Sequence, residues 1–110
     1  MKAQLVLLPL VLFTMASPAA AQAARTYVCS VDGSNEVVRW KFGAGEMHEF
    51  RKGVWSSNWC EDKYTACEII DSGFVVSDPF YEFFHETSTG RFDFEDEYNK
   101  TKMSGTCRPG

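Results

Sequence analysis

The sequence predicts an all-β fold: a small antiparallel β-meander closed into a barrel or sandwich of about eight strands and stapled by two disulfides. Three observations predict it. After residue 23, short runs of aromatic and β-branched residues recur, and glycine-bearing turn signals divide them every several positions. No run carries the helical periodicity that a crossover between parallel strands requires, so consecutive strands are expected to be antiparallel. Four cysteines, Cys29, Cys60, Cys67 and Cys107, follow what reads as an export signal.

That signal is the first element. Lys2 supplies a positive start, Leu5 to Met15 an apolar run, and Ala19-Ala20-Ala21 or Ala21-Gln22-Ala23 a small-residue cleavage site. Residues 1–23 are therefore read as a cleavable signal peptide, and residues 24–110 as one disulfide-stabilised β domain. The apolar run falls short of the ~20 residues of a membrane helix and no second one follows, so no span is expected after cleavage. The Ala-rich end of the signal has a bacterial character, which points to a periplasmic or secreted protein.

In the mature chain, Tyr27, Cys29 and Val31 alternate with Val28 and Ser30, as on a half-buried strand. Asp32-Gly33-Ser34-Asn35 turns into Glu36 to Phe42, where Val38, Trp40 and Phe42 share one face and Val37, Arg39 and Lys41 the other. Gly43-Ala44-Gly45 leads to Glu46–Arg51, with Met47 or Phe50 as core candidates, and Lys52-Gly53 turns into Val54-Trp55. Ser56 to Asp62 is polar and reads as an irregular surface loop. Tyr64–Ile70 and Phe74–Ser77 form the next pair around Asp71-Ser72-Gly73, and Asp78-Pro79 ends it, because proline cannot donate to a ladder. Phe80–Thr87 and Arg91–Tyr98 form the last long hairpin around Ser88-Thr89-Gly90. Asn99–Ser104 is polar, and Gly105-Thr106-Cys107 reads as a short closing strand or tail.

A chain this short buries only ~60–65% of its unfolded surface, which makes covalent staples the expected supplement. Four cysteines allow three pairings. The favoured one joins Cys29 to Cys107, tying the opening strand to the chain end, and Cys60 to Cys67. A metal site is disfavoured, since the six-residue gap between Cys60 and Cys67 is wider than zinc knuckles use and no histidine lies beside it.

Removing Lys2 leaves ten basic and fifteen acidic residues, a net charge of −5. From Asp78 to Glu97, seven acidic residues face Arg91 alone, so nucleic acid is a poor partner. Catalytic groups are sparse. The histidines are His48 and His85, Ser72 reads as a hairpin-turn residue, and the cysteines are expected to be oxidised. No catalytic residue, metal or cofactor is assigned.

Arg91-Phe92-Asp93-Phe94-Glu95-Asp96-Glu97-Tyr98 carries the sharpest pattern. On a strand, Phe92 and Phe94 point one way while Asp93, Glu95 and Glu97 point the other, with Glu82 or Glu86 joining them from the partner strand. Such a row is either a docking face for a cationic protein partner or a charged edge that discourages aggregation. Trp55 and Trp59, with Tyr64, bracket the irregular loop as core covers or as a contact surface. Asn99-Lys100-Thr101 matches a glycosylation acceptor, of consequence only in a eukaryotic host.

Tyr27-Val28-Cys29 just past an export signal, a charged hairpin, and a cysteine near the C-terminus form a pattern similar to the C-type periplasmic lysozyme inhibitors. The resemblance implies a small β-barrel whose end cysteines pair. It covers only the chain ends. That family's Ser-Gly-x-x-Tyr motif and Lys-Gly element do not stand here in their setting: Lys52-Gly53 is isolated, and Phe74-Val75 follow Ser72-Gly73 with no tyrosine. Membership is not assigned, and no functional residue is carried over. The expectation is a small exported binding protein that is not an enzyme and that meets a cationic protein or envelope component. The alternatives are a structural envelope protein with no dedicated ligand, or an inhibitor of an exported or host enzyme such as lysozyme.

Overall fold

The computed structural model describes residues 23–110, so the predicted signal peptide lies outside the described residues except for Ala23. Nine strands follow one another: β1 (Arg25–Val31), β2 (Val37–Gly43), β3 (Glu46–Arg51), β4 (Val54–Trp55), β5 (Ala66–Ile70), β6 (Gly73–Ser77), β7 (Tyr81–Glu86), β8 (Arg91–Asp96) and β9 (Thr101–Pro109). A single 3₁₀ turn, Trp59–Glu61, stands between β4 and β5. Among the described residues, no helix is long and apolar enough to cross a membrane.

All nine strands belong to one antiparallel sheet in the order β4-β3-β2-β1-β9-β8-β7-β6-β5. Its inner face carries Trp40, Phe42 and Phe92, which the alternation singled out, and Phe83, Met47, Phe74 and Val76 are buried there with them. Removing each such side chain from water contributes about 1.5–3 kcal/mol. Met47 joins this core, whereas Phe50 is half-buried on the outer face, where the Arg39 guanidinium lies 5.4 Å from its ring centre.

The sheet curls into a half-barrel, and the aromatic contacts show why. β2 and β7 are four strand steps apart, ~19 Å if the sheet were flat. Yet the Trp40 and Phe83 ring centres are 5.0 Å apart, and Phe42 lies 5.4 Å from Phe74 of β6. The inner rings of the two sheet halves therefore pack on each other. β4 and β5 remain the two edges, bridged by residues 56–65.

The chain end departs from expectation. Where the sequence reads as a polar stretch and a short closing strand or tail, β9 runs nine residues and lies at the centre of the sheet, between β1 and β8. Ladder bonds come from the backbone, so the polar side chains of Lys102, Ser104 and Thr106 stand on the outer face at no cost to the pairing. Gly105 lies opposite both Val31 and Phe92. A Cβ there would come within 1.9 Å of the Ser30 carbonyl oxygen, so only glycine fits the close approach.

Both favoured disulfides form. Cys29 and Cys107 are directly opposite on β1 and β9, and Cys60 joins Cys67 beside the open edge. No free cysteine remains among the described residues. Two disulfides in a domain this small fit an oxidising, exported location.

Candidate functional site

The outer face of the β7–β8 hairpin gathers the predicted acidic residues by strand register. Phe83, His85, Phe92 and Phe94 turn inward, and their alternating neighbours Glu82, Phe84, Glu86, Asp93 and Glu95 turn outward. Glu82 lies directly opposite Glu95, and Asp93 opposite Phe84. Two carboxylates at directly opposed positions stand ~5 Å apart at Cβ and repel each other.

Compensation is partial. β9 places Lys102 opposite Glu95 and Ser104 opposite Asp93, and the Ser104 hydroxyl donates to Asp93 Oδ1. The hairpin's own cation is engaged elsewhere. Arg91 donates to both carboxylate oxygens of Asp32, at 3.1 and 2.6 Å, and to Thr106 Oγ1. Those hydrogen bonds hold the Asp32 carboxyl below its ordinary range and raise the Arg91 guanidinium above its own. Arg91 also sits four residues from Glu95 along the strand, ~13 Å away.

Glu97 is not on the strand face where the alternation put it. β8 ends at Asp96, whose Oδ1 accepts the amides of Tyr98 (3.0 Å) and Asn99 (3.1 Å), and this side-chain turn breaks the ladder. Asp78 does the same before β7, accepting the amides of Phe80 (2.7 Å) and Tyr81 (3.3 Å) through Oδ1. The two turns lie side by side, because the Glu97 amide donates to the Phe80 carbonyl at 2.8 Å. They expel Phe80 and Tyr98 from the strands as an exposed edge-on pair, 58% and 78% accessible, with ring centres 6.3 Å apart.

Glu97 nevertheless joins the site. With Glu82, Glu95, Ser77 and Phe80 it lines a depression of about 180 Å³ at this end of the hairpin. An adjoining outer trough of about 430 Å³ has Val75 and Phe84 among its lining residues, with Glu82, Asp93 and Glu95 beside them. Glu86 stands apart, toward the opposite end of the hairpin, where it accepts the Thr89 hydroxyl at 2.7 Å. Among the described residues, no three acidic, histidine or cysteine side chains form a group that could hold a metal ion. The cluster is thus arranged as a surface of negative charge beside two exposed rings.

Comparison with known proteins finds no family model, no curated protein and no solved structure that matches the chain.

The two tryptophans of the irregular loop separate. Trp55 lies on edge strand β4, 40% exposed, with its ring 5.1 Å from Phe50 on the outer face. Trp59 turns inward on the 3₁₀ turn, 5.1 Å from Tyr81. His85 is buried among Tyr27 and Phe42, at 5.2 and 4.9 Å, and burial lowers its pKa from the ordinary 6.5. Sequence reasoning missed Phe80, Tyr98 and Lys102 as parts of the acidic face. The usable signal was the pair Asp78-Pro79-Phe80-Tyr81 and Asp96-Glu97-Tyr98-Asn99, each an aspartate positioned to cap amides two and three residues on.

Proposed function

We propose that this chain is a small exported binding protein, periplasmic or secreted, that acts without catalysis and docks a cationic protein partner through the acidic face of β7–β8. The observation that carries the reading is the convergence of Glu82, Glu95 and Glu97 beside the exposed Phe80–Tyr98 pair. Carboxylates steer a cationic surface and fix its orientation, while exposed rings accept the apolar stems and charged heads of Lys and Arg. Hot-spot energy at interfaces concentrates on such aromatic anchors more than on rim charges. Inhibition of a cationic exported or host enzyme such as lysozyme is one concrete form of this function.

The test uses the mature, oxidised chain as bait for envelope and secretion extracts and for purified lysozyme. It compares low salt with ~1 M salt, where the screening length falls to ~3 Å. Two variants run beside it, Glu82→Gln/Glu95→Gln/Glu97→Gln and Phe80→Ala/Tyr98→Ala. A cationic protein held at low salt and released by high salt and by both variants supports the proposal. Retention that neither variant weakens moves the site elsewhere. With no salt-sensitive partner, the face is a solubility device on a structural envelope protein.

A further inference from the structure

We propose that the open mouth of the half-barrel is a second binding site, taking a neutral saccharide. It lies on the inner face and owes nothing to the acidic outer face. The cavity measures about 710 Å³, within the ~300–1,000 Å³ of small-molecule sites, and mouths of β-barrels are frequent places for them.

Four rings line it and pack on one another. Trp59 lies 5.1 Å from Tyr81 and 6.4 Å from Phe94, and Trp40 lies 5.9 Å from Phe94. Burial raises the Tyr81 pKa above its ordinary value. Such a lining suits a ligand with a flat apolar face, as the C–H face of a pyranose presents.

The polar groups around these rings decide the rest. Two acidic and two basic residues line the cavity, Glu49 and Asp96 with Arg51 and Lys52, so a charged ligand meets no net opposite charge. Both carboxylates already have partners within the chain. Arg51 donates to Glu49 at 2.8 Å, and Asp96 accepts two backbone amides and the Asn99 side-chain amide, the last at 2.7 Å. What remains is a mixture: the Lys52 ammonium and the further N–H groups of Arg51 and Asn99 can donate, and Glu49 Oε1 can accept. Trp40 contributes ring surface and no donor, since it is 1% exposed and its indole N–H is itself buried. A neutral ligand dense in hydroxyl, ether and carbonyl oxygens satisfies groups of both kinds, and an oligosaccharide combines those oxygens with apolar ring faces.

The three tryptophans supply the readout, since Trp40 and Trp59 line the cavity and Trp55 stands outside against Phe50. The oxidised chain is titrated with short neutral β-linked oligosaccharides of N-acetylglucosamine and of glucose, followed by tryptophan fluorescence and by the indole N–H resonances. Acidic uronate oligomers run in parallel. The expected result is saturable binding of a neutral series that moves the Trp40 indole proton and leaves that of Trp55 in place. Trp59→Ala is expected to weaken it about tenfold, the loss of one aromatic contact. Arg51→Gln, at a side chain 71% exposed and so harmless to the fold, is expected to weaken it several-fold and serves if Trp59→Ala does not fold. No saturable response to either neutral series overturns the proposal. So does preference for the uronates, or affinity unchanged in both variants.

Discussion

The half-barrel is held together differently at its centre and at its open side. At the centre, β9 pairs with β1 on one flank and β8 on the other, and the Cys29–Cys107 disulfide crosses between directly opposed residues. At the open side no ladder joins β4 to β5. Residues 56–65 span the gap, Cys60–Cys67 ties that connection to β5, and Trp59 packs inward against Tyr81. The first arrangement joins residues distant in sequence and makes two strand groups one sheet. The second is local and shapes a rim. Stability is therefore expected to concentrate at the centre, while the open side can be altered without loss of the sheet.

The most direct way to break the central arrangement is Gly105→Val. The added side chain meets the Ser30 carbonyl oxygen at 1.9 Å and the Phe92 ring at 2.8 Å, and both belong to the packed centre. Backbone on one side and a fully buried ring on the other leave no room to yield. A loss above about 4 kcal/mol is expected, seen as a missing cooperative transition in urea. A variant that unfolds near the parent's midpoint would show that β9 is not needed at the centre.

The two disulfides sharpen the same contrast. Loop entropy assigns about 4.5 kcal/mol to a bridge with the 78-residue separation of Cys29–Cys107 and about 2.4 kcal/mol to one with the 7-residue separation of Cys60–Cys67. Replacing each pair by alanine should reproduce that order in denaturant midpoints. It should also separate function from fold. The Cys60/Cys67 pair variant is expected to keep the β7–β8 face intact while disturbing the cavity beside Trp59. Equal losses from the two pairs would remove the distinction between centre and open side.

How far the sequence could be read follows from where each signal resides. Alternation is local and is carried by side chains, so Trp40 and Phe42 on β2 and Phe92 and Phe94 on β8 reveal their inner faces directly. Apart from its Gly105–Cys107 end, β9 is illegible by the same logic. Its long-range partners are chosen by backbone hydrogen bonds and by Gly105, and Lys102 to Ser104 offer no apolar pattern to count. Of the candidate site, Glu82, Asp93 and Glu95 were visible as an outward row. Glu97, Phe80 and Tyr98 fall outside the strands, because Asp96 captures backbone amides and ends β8 two residues early, while Asp78 does the same ahead of β7 and starts it one residue late. Curling was equally hidden: contacts such as Trp40–Phe83 depend on residues 43 apart in the chain meeting across the concave face.

His85 offers the smallest and most selective test, because it is a polar group set where the two sheet halves meet. It belongs to β7 yet packs against Tyr27 of β1 and Phe42 of β2, it is 6% exposed, and its Nε2 has no partner among the described residues. Burial disfavours the charged ring, so the folded pKa lies below the ordinary 6.5 of the unfolded chain. Between those two values the unfolded state binds the extra proton, and stability must fall as pH falls. Above 6.5 both states hold neutral imidazole and the group adds no slope. Urea midpoints measured from pH 8 down to pH 5 should accordingly be level at first and decline below about 6.5, before the carboxylates begin to titrate. In His85→Phe that decline should shrink, and the His85 ring proton of the parent should titrate below the ordinary range. A decline of the same size in the variant would mean that the junction between the halves tolerates a charged ring, and that its packing is looser than the aromatic distances indicate.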